Sequence, residues 1–285
     1  MSFWFKLLSM THQHSFYLHP DWLIPDWPAP AGVRAVFTSR VGGVSAPPYK
    51  SFNLGQHVGD APGAVAANRA LLAQAVGAQA IFLNQVHGSA VLTLEASTPD
   101  GLPADACVTA QKKVACIIMV ADCLPVLLTT TDGRVVAAAH AGWRGLAGVL
   151  ETTVASLRAL AGPELAMDQI LVWLGPCIGP LAFEVGAEVK AAFEAVLPQA
   201  SSCFVPTGAG SGKYFANLPA LARLRLQALG IGNAQVYGND GSLPWCTVSN
   251  PSRFFSHRRD AGISGNGGNG FGTTGRMAAC IWLDG

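Results

Sequence analysis

The stretch VACIIMVADCLPVLLTTTDGRVVAAAHAGWRG, residues 114–145, decides how the chain reads. Two apolar runs, 114–120 and 125–130, flank one polar pair, Asp122 and Cys123. The turn residues Thr131, Asp132 and Gly133 follow. A third apolar run, 135–139, then ends in His140 and a glycine-rich turn over 141–145. Short apolar runs bounded by turn residues predict strand, bend, strand, turn, strand and the start of a helix. A thiol and an imidazole then stand at the ends of buried strands, where a rigid scaffold can aim them. A second imidazole, His87, lies upstream in the strand-like run LNQVHGSAVLTL.

The rest of the chain supports a large core. Of 285 residues, 50% are hydrophobic and 12% are charged, well under the roughly 25% charge typical of soluble domains. The net charge of +1, with no basic stripe, argues against nucleic acid as the main partner. Seven cysteines in apolar runs such as RMAACIWL read as buried thiols of a reducing compartment, so a cytoplasmic location is expected. Cys107, Cys116, Cys177, Cys203, Cys246 and Cys280 read as structural. The start, MSFWFKLLSM, lacks the charged lead and cleavage site of a signal peptide, and Met10 is a second possible start. No run is long enough to predict a membrane span.

Other elements follow from punctuation. A strand is expected at 33–39, then an arginine-bearing turn, Arg40 to Gly43. Asp60 reads as the N-cap of a helix over 62–76 that Gly77 closes. Residues 81–95 read as a strand pair or one long strand broken at Gly88, and 104–109 as a further strand. Helices are expected at 146–160, 187–196 and 218–229, and short strands at 170–174, 234–237 and 277–283. The glycine-rich patch 262–275 cannot bury apolar surface and reads as a mobile loop. No composition shift marks a boundary. One domain of mixed β-sheets covered by helices, α/β or α+β in class, is expected.

His87, Cys123 and His140 make a zinc-type ligand set of two imidazoles and a thiolate. Three ligands from separate segments leave a fourth position open, the arrangement of catalytic rather than structural zinc. The same residues also suit a Cys123 nucleophile served by a histidine base, and buried cysteines and histidines are ordinary core residues besides. Arg40 and Arg144 sit in glycine-rich turns, where a guanidinium fork can hold phosphate bidentately. Asp122 suits either proton transfer or a supporting hydrogen bond beside a ligand.

Taken together, the motifs resemble a known family. TSRVGGVS, SFNLGQHVGD, NQVHG, ADCLPVLL, HAGWRG, GPCIGP with FEVG, and FFSHRRD with TGRMA occur in the order seen in the laccase-domain, or polyphenol-oxidase-like, proteins. That family is also described as zinc-dependent purine nucleoside phosphorylases and as peptidoglycan editing factors. The resemblance runs from about Trp22 to Leu283. It implies metal ligation by His87, Cys123 and His140, with zinc as the metal and copper as an alternative. It implies a single α+β domain over 22–285, with layered mixed β-sheets flanked by helices and similar to cysteine-hydrolase-like deamidase toxins, after a flexible extension over 1–21. It also implies phosphorolysis of adenosine, inosine and guanosine to base and ribose 1-phosphate, phosphorolysis of methylthioadenosine, and adenosine deamination as a side activity. Arg40, Asp122 and Arg144 become the candidates for catalytic roles. The partners implied are purine nucleosides and phosphate, with no nucleic acid and no membrane, on a monomer or weak homo-oligomer. The rival readings are a cysteine-dependent amidase, a peptidoglycan-precursor editing enzyme and a copper-dependent polyphenol oxidase. The last is disfavoured because the paired H-x-H ligands of a multicopper cluster are absent. The segment between Arg259 and Arg276 is longer and richer in glycine than the family pattern.

Overall fold

The long apolar runs become the inner strands of two sheets packed face to face. The computed structural model describes residues 18–146, 148–260 and 273–285. A four-stranded sheet holds β1 (Val33–Phe37), β2 (Gln79–Phe82), β5 (Val114–Val120) and β13 (Met277–Leu283), in the order β1-β13-β5-β2. A six-stranded sheet holds β3 (Val91–Thr93), β4 (Ala106–Thr109), β6 (Leu124–Thr130), β7 (Val136–Ala141), β8 (Ile170–Leu174) and β12 (Val236–Gly238). Its order is β12-β8-β6-β7-β4-β3. Both sheets are mixed: β2 runs parallel to β5, whereas β13 is antiparallel to both its neighbours.

Alternation along β5 explains why it is apolar on both faces. Cys116, Ile118 and Val120 point into the core between the two sheets, beside Leu127, Val136 and Trp173 of the larger sheet. Ala115, Ile117 and Met119 point the other way, toward Leu72 and Val76 of α1 (Pro62–Val76). The outer face of the larger sheet is covered by α2 (Val149–Ala161) and α4 (Leu218–Ala228). The same cluster takes in α3 (Ala187–Val196) and a small antiparallel sheet of β9 (Glu184–Gly186), β10 (Phe204–Pro206) and β11 (Lys213–Ala216). The layers are helix, sheet, sheet, helix, within one mixed α+β domain. Full burial of one leucine or isoleucine contributes about 1.5–3 kcal/mol. An interface holding Ile81, Ile118, Leu127, Phe254 and Ile281, each nearly solvent-free, is therefore a stiff base.

Several expectations need correction. Residues 81–95 are not a hairpin: β2 and β3 belong to different sheets, and the eight residues between them form a crossing loop that carries His87. Asp60 does not cap α1. Ala61 is the N-cap, and Asp60 instead accepts from its amide and from Asn53 Nδ2. The helix after the central stretch starts at Val149 rather than at 146, because the preceding residues are committed to the turn around Gly142 and Gly145. The small sheet of β9 to β11 was not expected at all. The expectations for 1–17 and for 261–272 lie outside the described residues. Leu18, inside the expected extension, packs onto the core beneath α1.

Candidate metal centre and cavity

Cys123 sits where the chain leaves one sheet for the other. β5 ends at Val120, Ala121 to Cys123 form the link, and β6 begins at Leu124. The link turns through Asp122, whose φ is +90°. Its carboxylate holds the turn: Oδ1 accepts from Thr247 Oγ1 at 2.5 Å and Oδ2 from the Arg258 amide at 2.6 Å. The Asp122 carbonyl also accepts from the Ile178 amide at 2.9 Å. Three segments distant in sequence thus meet on one aspartate and fix the direction of the neighbouring thiol.

His140 lies on β7, paired with Pro125 of β6, and is 3% exposed. His87 reaches the same point from the crossing loop with φ +61°. A left-handed residue other than glycine costs about 1–3 kcal/mol unless its surroundings enforce it. Here Asp105 enforces it. Its carboxylate, wholly buried, accepts from the amides of Val86 (3.1 Å), His87 (2.9 Å) and Gly88 (2.7 Å). The same carboxylate meets His140 Nδ1 at 2.8 Å. Hydrogen bonds to a charged group are worth about 1.5–3 kcal/mol each, so this set outweighs the backbone strain. Burial works against the charge of Asp105, yet the bonds from His140 and the amides of Gly88 and His87 hold its carboxyl below the usual carboxylate range. One carboxylate therefore shapes the loop of one histidine and fixes the tautomer of the other, leaving His140 Nε2 directed at the site.

The ligand atoms of His87, Cys123 and His140 all lie within 4.8 Å of one another. Cys123 Sγ is 3.9 Å from His87 Nε2, and the two imidazole centroids are 4.7 Å apart. A tetrahedral zinc with bonds of ~2.3 Å to sulfur and ~2.0–2.1 Å to nitrogen separates those atoms by roughly 3.5 Å, so a small inward shift closes the set. Gly142 leaves the needed space, since a Cβ there would stand 3.0 Å from Cys123 Sγ and 3.1 Å from His87 Cδ2. Burial alone would raise the Cys123 thiol, but His140 and His87 outweigh it and lower its pKa to about 6. Burial opposes charge on His140 too, and the Cys123 thiolate and Asp105 outweigh it, raising that imidazole to about 9. The site is thus suited to hold a thiolate, the form that binds metal. Two imidazoles and a thiolate fit a metal ion.

The cluster opens into a cavity of about 430 Å³. Trp143, Ile178, Phe183 and Leu218 give it an apolar wall, and His57, Arg144, Arg258 and Arg276 line it with polar groups. Of the sequence candidates, His87, Cys123, His140, Asp122 and Arg144 all border this cavity. The Arg144 guanidinium is exposed and lies 4.4 Å from the Trp143 ring centroid. Arg40 is not among the lining residues. Its Nε and Nη1 donate to the carbonyls of Lys50 (3.2 Å) and Pro251 (2.9 Å), and its guanidinium lies over Phe255, so it ties loops together away from the site. The sequence assigns no role to Asp105 or to Arg276. The available signal for Asp105 was a charged residue at the start of a strand otherwise fit for burial, a place where charge occurs only when paired.

Comparison with known proteins places this geometry in a family. A purine nucleoside phosphorylase of Pseudomonas aeruginosa, PA4543, is 49% identical over 263 residues, covering 92% of this chain and 98% of that protein. The purine nucleoside phosphorylase YfiH of Escherichia coli is 46% identical over 264 residues, with 92% and 98% covered. Among solved structures, protein NMB0706 of Neisseria meningitidis matches with a TM-score of 0.80 and 47% identity, over 93% of this chain and all of that one. YlmD of Geobacillus stearothermophilus also matches with a TM-score of 0.80, at 31% identity, over 91% and 94% of the two chains. The family model that matches residues 34–284 is described as multi-copper polyphenol oxidoreductase laccase, and to that laccase-like family the chain belongs.

Proposed function

We propose that this chain is a zinc-dependent purine nucleoside phosphorylase. It takes adenosine, inosine or guanosine with phosphate to the free base and ribose 1-phosphate, and methylthioadenosine to adenine and 5-methylthioribose 1-phosphate. The observation that carries the reading is the His87–Cys123–His140 cluster bordering a cavity lined by apolar side chains and arginines, in a chain nearly half identical to proteins named purine nucleoside phosphorylases. A zinc ion held by those three residues supplies a Lewis acid for an oxygen of phosphate or water.

The chain's own residues supply position and charge. In phosphorolysis a phosphate oxygen bonds to the anomeric carbon of the ribose as the bond from that carbon to the purine nitrogen breaks. The electron pair leaves with the base, which takes a proton. Positive charge builds on the sugar on the way, so orientation and electrostatics do most of the work. The planar purine suits the wall of Trp143, Ile178, Phe183 and Leu218. Arg144 stands at the rim, free to meet phosphate as it enters. Asp122, with both oxygens engaged by Thr247 and Arg258, acts as a positioning residue for Cys123 and not as a proton carrier. Zinc suits the site better than blue copper, which takes a weak axial methionine. Met119, which borders the cavity, has its sulfur 3.9 Å from Arg69 Nη2. Adenosine deamination in the same cavity is a side activity, through activation of water in place of phosphate.

One observation favours a second reading. Asp105, His140 and Cys123 form a carboxylate–imidazole–thiolate line of the kind used by cysteine hydrolases acting on amides. The experiment is the metal content of the purified protein together with inosine turnover with and without phosphate. About one zinc per chain and base release that needs phosphate are expected, and Cys123→Ala loses both. Full turnover in Cys123→Ala refutes the site. A metal-free protein whose Cys123 is alkylated by iodoacetamide without protection by zinc establishes the hydrolase instead.

A further inference from the structure

We propose that Arg276, clamped by Asn53 and Gly55, is an oxyanion subsite of the cavity and that it takes inorganic phosphate. This rests on the phosphorolysis reading for the identity of the anion. The clamp is built from the buried Asn53. Its Oδ1 accepts from the Arg276 amide at 2.8 Å and from the Gly55 amide at 2.9 Å, and its Nδ2 donates to the Gly55 carbonyl and to Asp60. The Leu54 amide donates in turn to the Arg276 carbonyl. Gly55 is required by close approach: a Cβ there would come 2.8 Å from Arg276 Cγ. The motif at 51–55 therefore packs its backbone against the stem of this arginine.

The head of the arginine is only partly used. Nη1 donates to the carbonyls of Thr274 (2.9 Å) and Gly275 (3.3 Å). Among the described residues Nε and Nη2 make no hydrogen bond, and no carboxylate lies within ion-pair distance. Burial works against its charge, while the negative charges that favour it are those of Cys123 and Asp122 at the metal centre. A guanidinium offers five donors in a fixed fork, and a shielded cation without an anion is costly. The other cavity arginines differ. Arg258 gives its nitrogens to the carbonyls of Ala182 and Glu184, and Arg144 is exposed on Trp143. His57 borders the same cavity, its basicity lowered by burial and by Arg276, so it adds a donor without a second full charge. A purine nucleoside carries no negative charge to answer Arg276. The tetrahedral dianion that attacks the sugar does, and its oxygens match the free side of the fork.

The test uses the full chain loaded with zinc. Binding of inorganic phosphate is measured by titration calorimetry without nucleoside, and KM for phosphate and for inosine by turnover. Arg276→Met should weaken phosphate binding and raise the phosphate KM by about 10- to 100-fold, with zinc content and inosine KM held within about twofold. Arg276→Lys should fall between, and Arg34→Met, on the surface beside Asp284, should match the wild type. Phosphate affinity unchanged in Arg276→Met overturns the subsite. Should that variant fail to fold, unchanged phosphate affinity in Arg276→Lys and Gly55→Ala overturns it equally. If inosine 5′-monophosphate binds the wild type and Arg276→Met weakens that nucleotide but not phosphate, the arginine serves a nucleotide and the assignment to inorganic phosphate fails. Base release by the wild type that ignores phosphate refutes phosphorolysis, and the calorimetry still decides the subsite.

Discussion

Replacing Asp105 by asparagine removes a charge while keeping the shape of the side chain. In the native site each carboxylate oxygen takes two donors: Oδ1 those of His87 N and His140 Nδ1, Oδ2 those of Val86 N and Gly88 N. Asparagine has one accepting oxygen. Whichever way the amide turns, its NH₂ faces two donors, part-buried or buried, and leaves them unsatisfied. Each unsatisfied buried group costs about 1–3 kcal/mol, so the expected loss is about 4 kcal/mol. At roughly 2–4 °C per kcal/mol, the melting temperature falls by about 8–16 °C. The same change frees the His87 loop from its left-handed turn and unfixes the His140 tautomer, and loss of such an outer partner weakens metal binding by about 10- to 100-fold. Thermal melting of the metal-free protein reads the first effect, and zinc competition with a chromophoric chelator reads the second. An Asp105→Asn protein that melts within about 2 °C of wild type and competes equally for zinc refutes the account of Asp105 as the support of both histidines.

Gly142→Ala should leave the fold intact and weaken zinc binding, because the new methyl enters the space between Cys123 Sγ and His87 Cδ2; chelator competition checks it, and wild-type affinity contradicts the fit. In the metal-free protein, alkylation of Cys123 by iodoacetamide should follow a midpoint near the thiol pKa of about 6 rather than the ordinary ~8.5. The stability linked to that lowered thiol is present at high pH and is lost as pH falls through about 6. The contribution of His140 is present below its ordinary ~6.5 and is lost as pH rises through about 9. Metal-free protein should therefore be most stable between those limits, and Cys123→Ala should flatten the profile in a pH series of denaturant melts.

The sequence made plain whatever rests on local pattern. β5, α1, α3, β8 and β13 lie where apolar runs and closing glycines put them, since strands buried on both faces need continuous apolar residues and Gly77 ends α1 with a left-handed φ of +61°. His87, Cys123 and His140 were legible as a candidate ligand set by residue type, and the structure brings them together; the motifs around them were legible by resemblance. What could not be read is what distant contacts decide. Asp105 matters because the loop at 86–88 folds onto it, and Arg276 because Asn53, 223 residues away, receives its amide. Arg40 looked like a phosphate ligand because turn arginines often are, but two carbonyls and Phe255 claim its guanidinium. The split of 81–95 between two sheets likewise leaves no local trace.

β13, the last strand along the chain, is an inner strand of its sheet, seated between β1 and β5. During synthesis, which delivers about 5–20 residues per second from the N-terminal end, His87, Cys123 and His140 all emerge well before residues 277–283. A nascent chain can thus hold all three candidate metal ligands while the sheet behind Cys123 still has a gap where β13 belongs. Arg276 immediately precedes that strand, so insertion of β13 closes the sheet and delivers the half-buried arginine to the cavity in one event. A chain cut short before residue 276 can carry the candidate ligand set but lacks both the closed sheet and the half-buried cation.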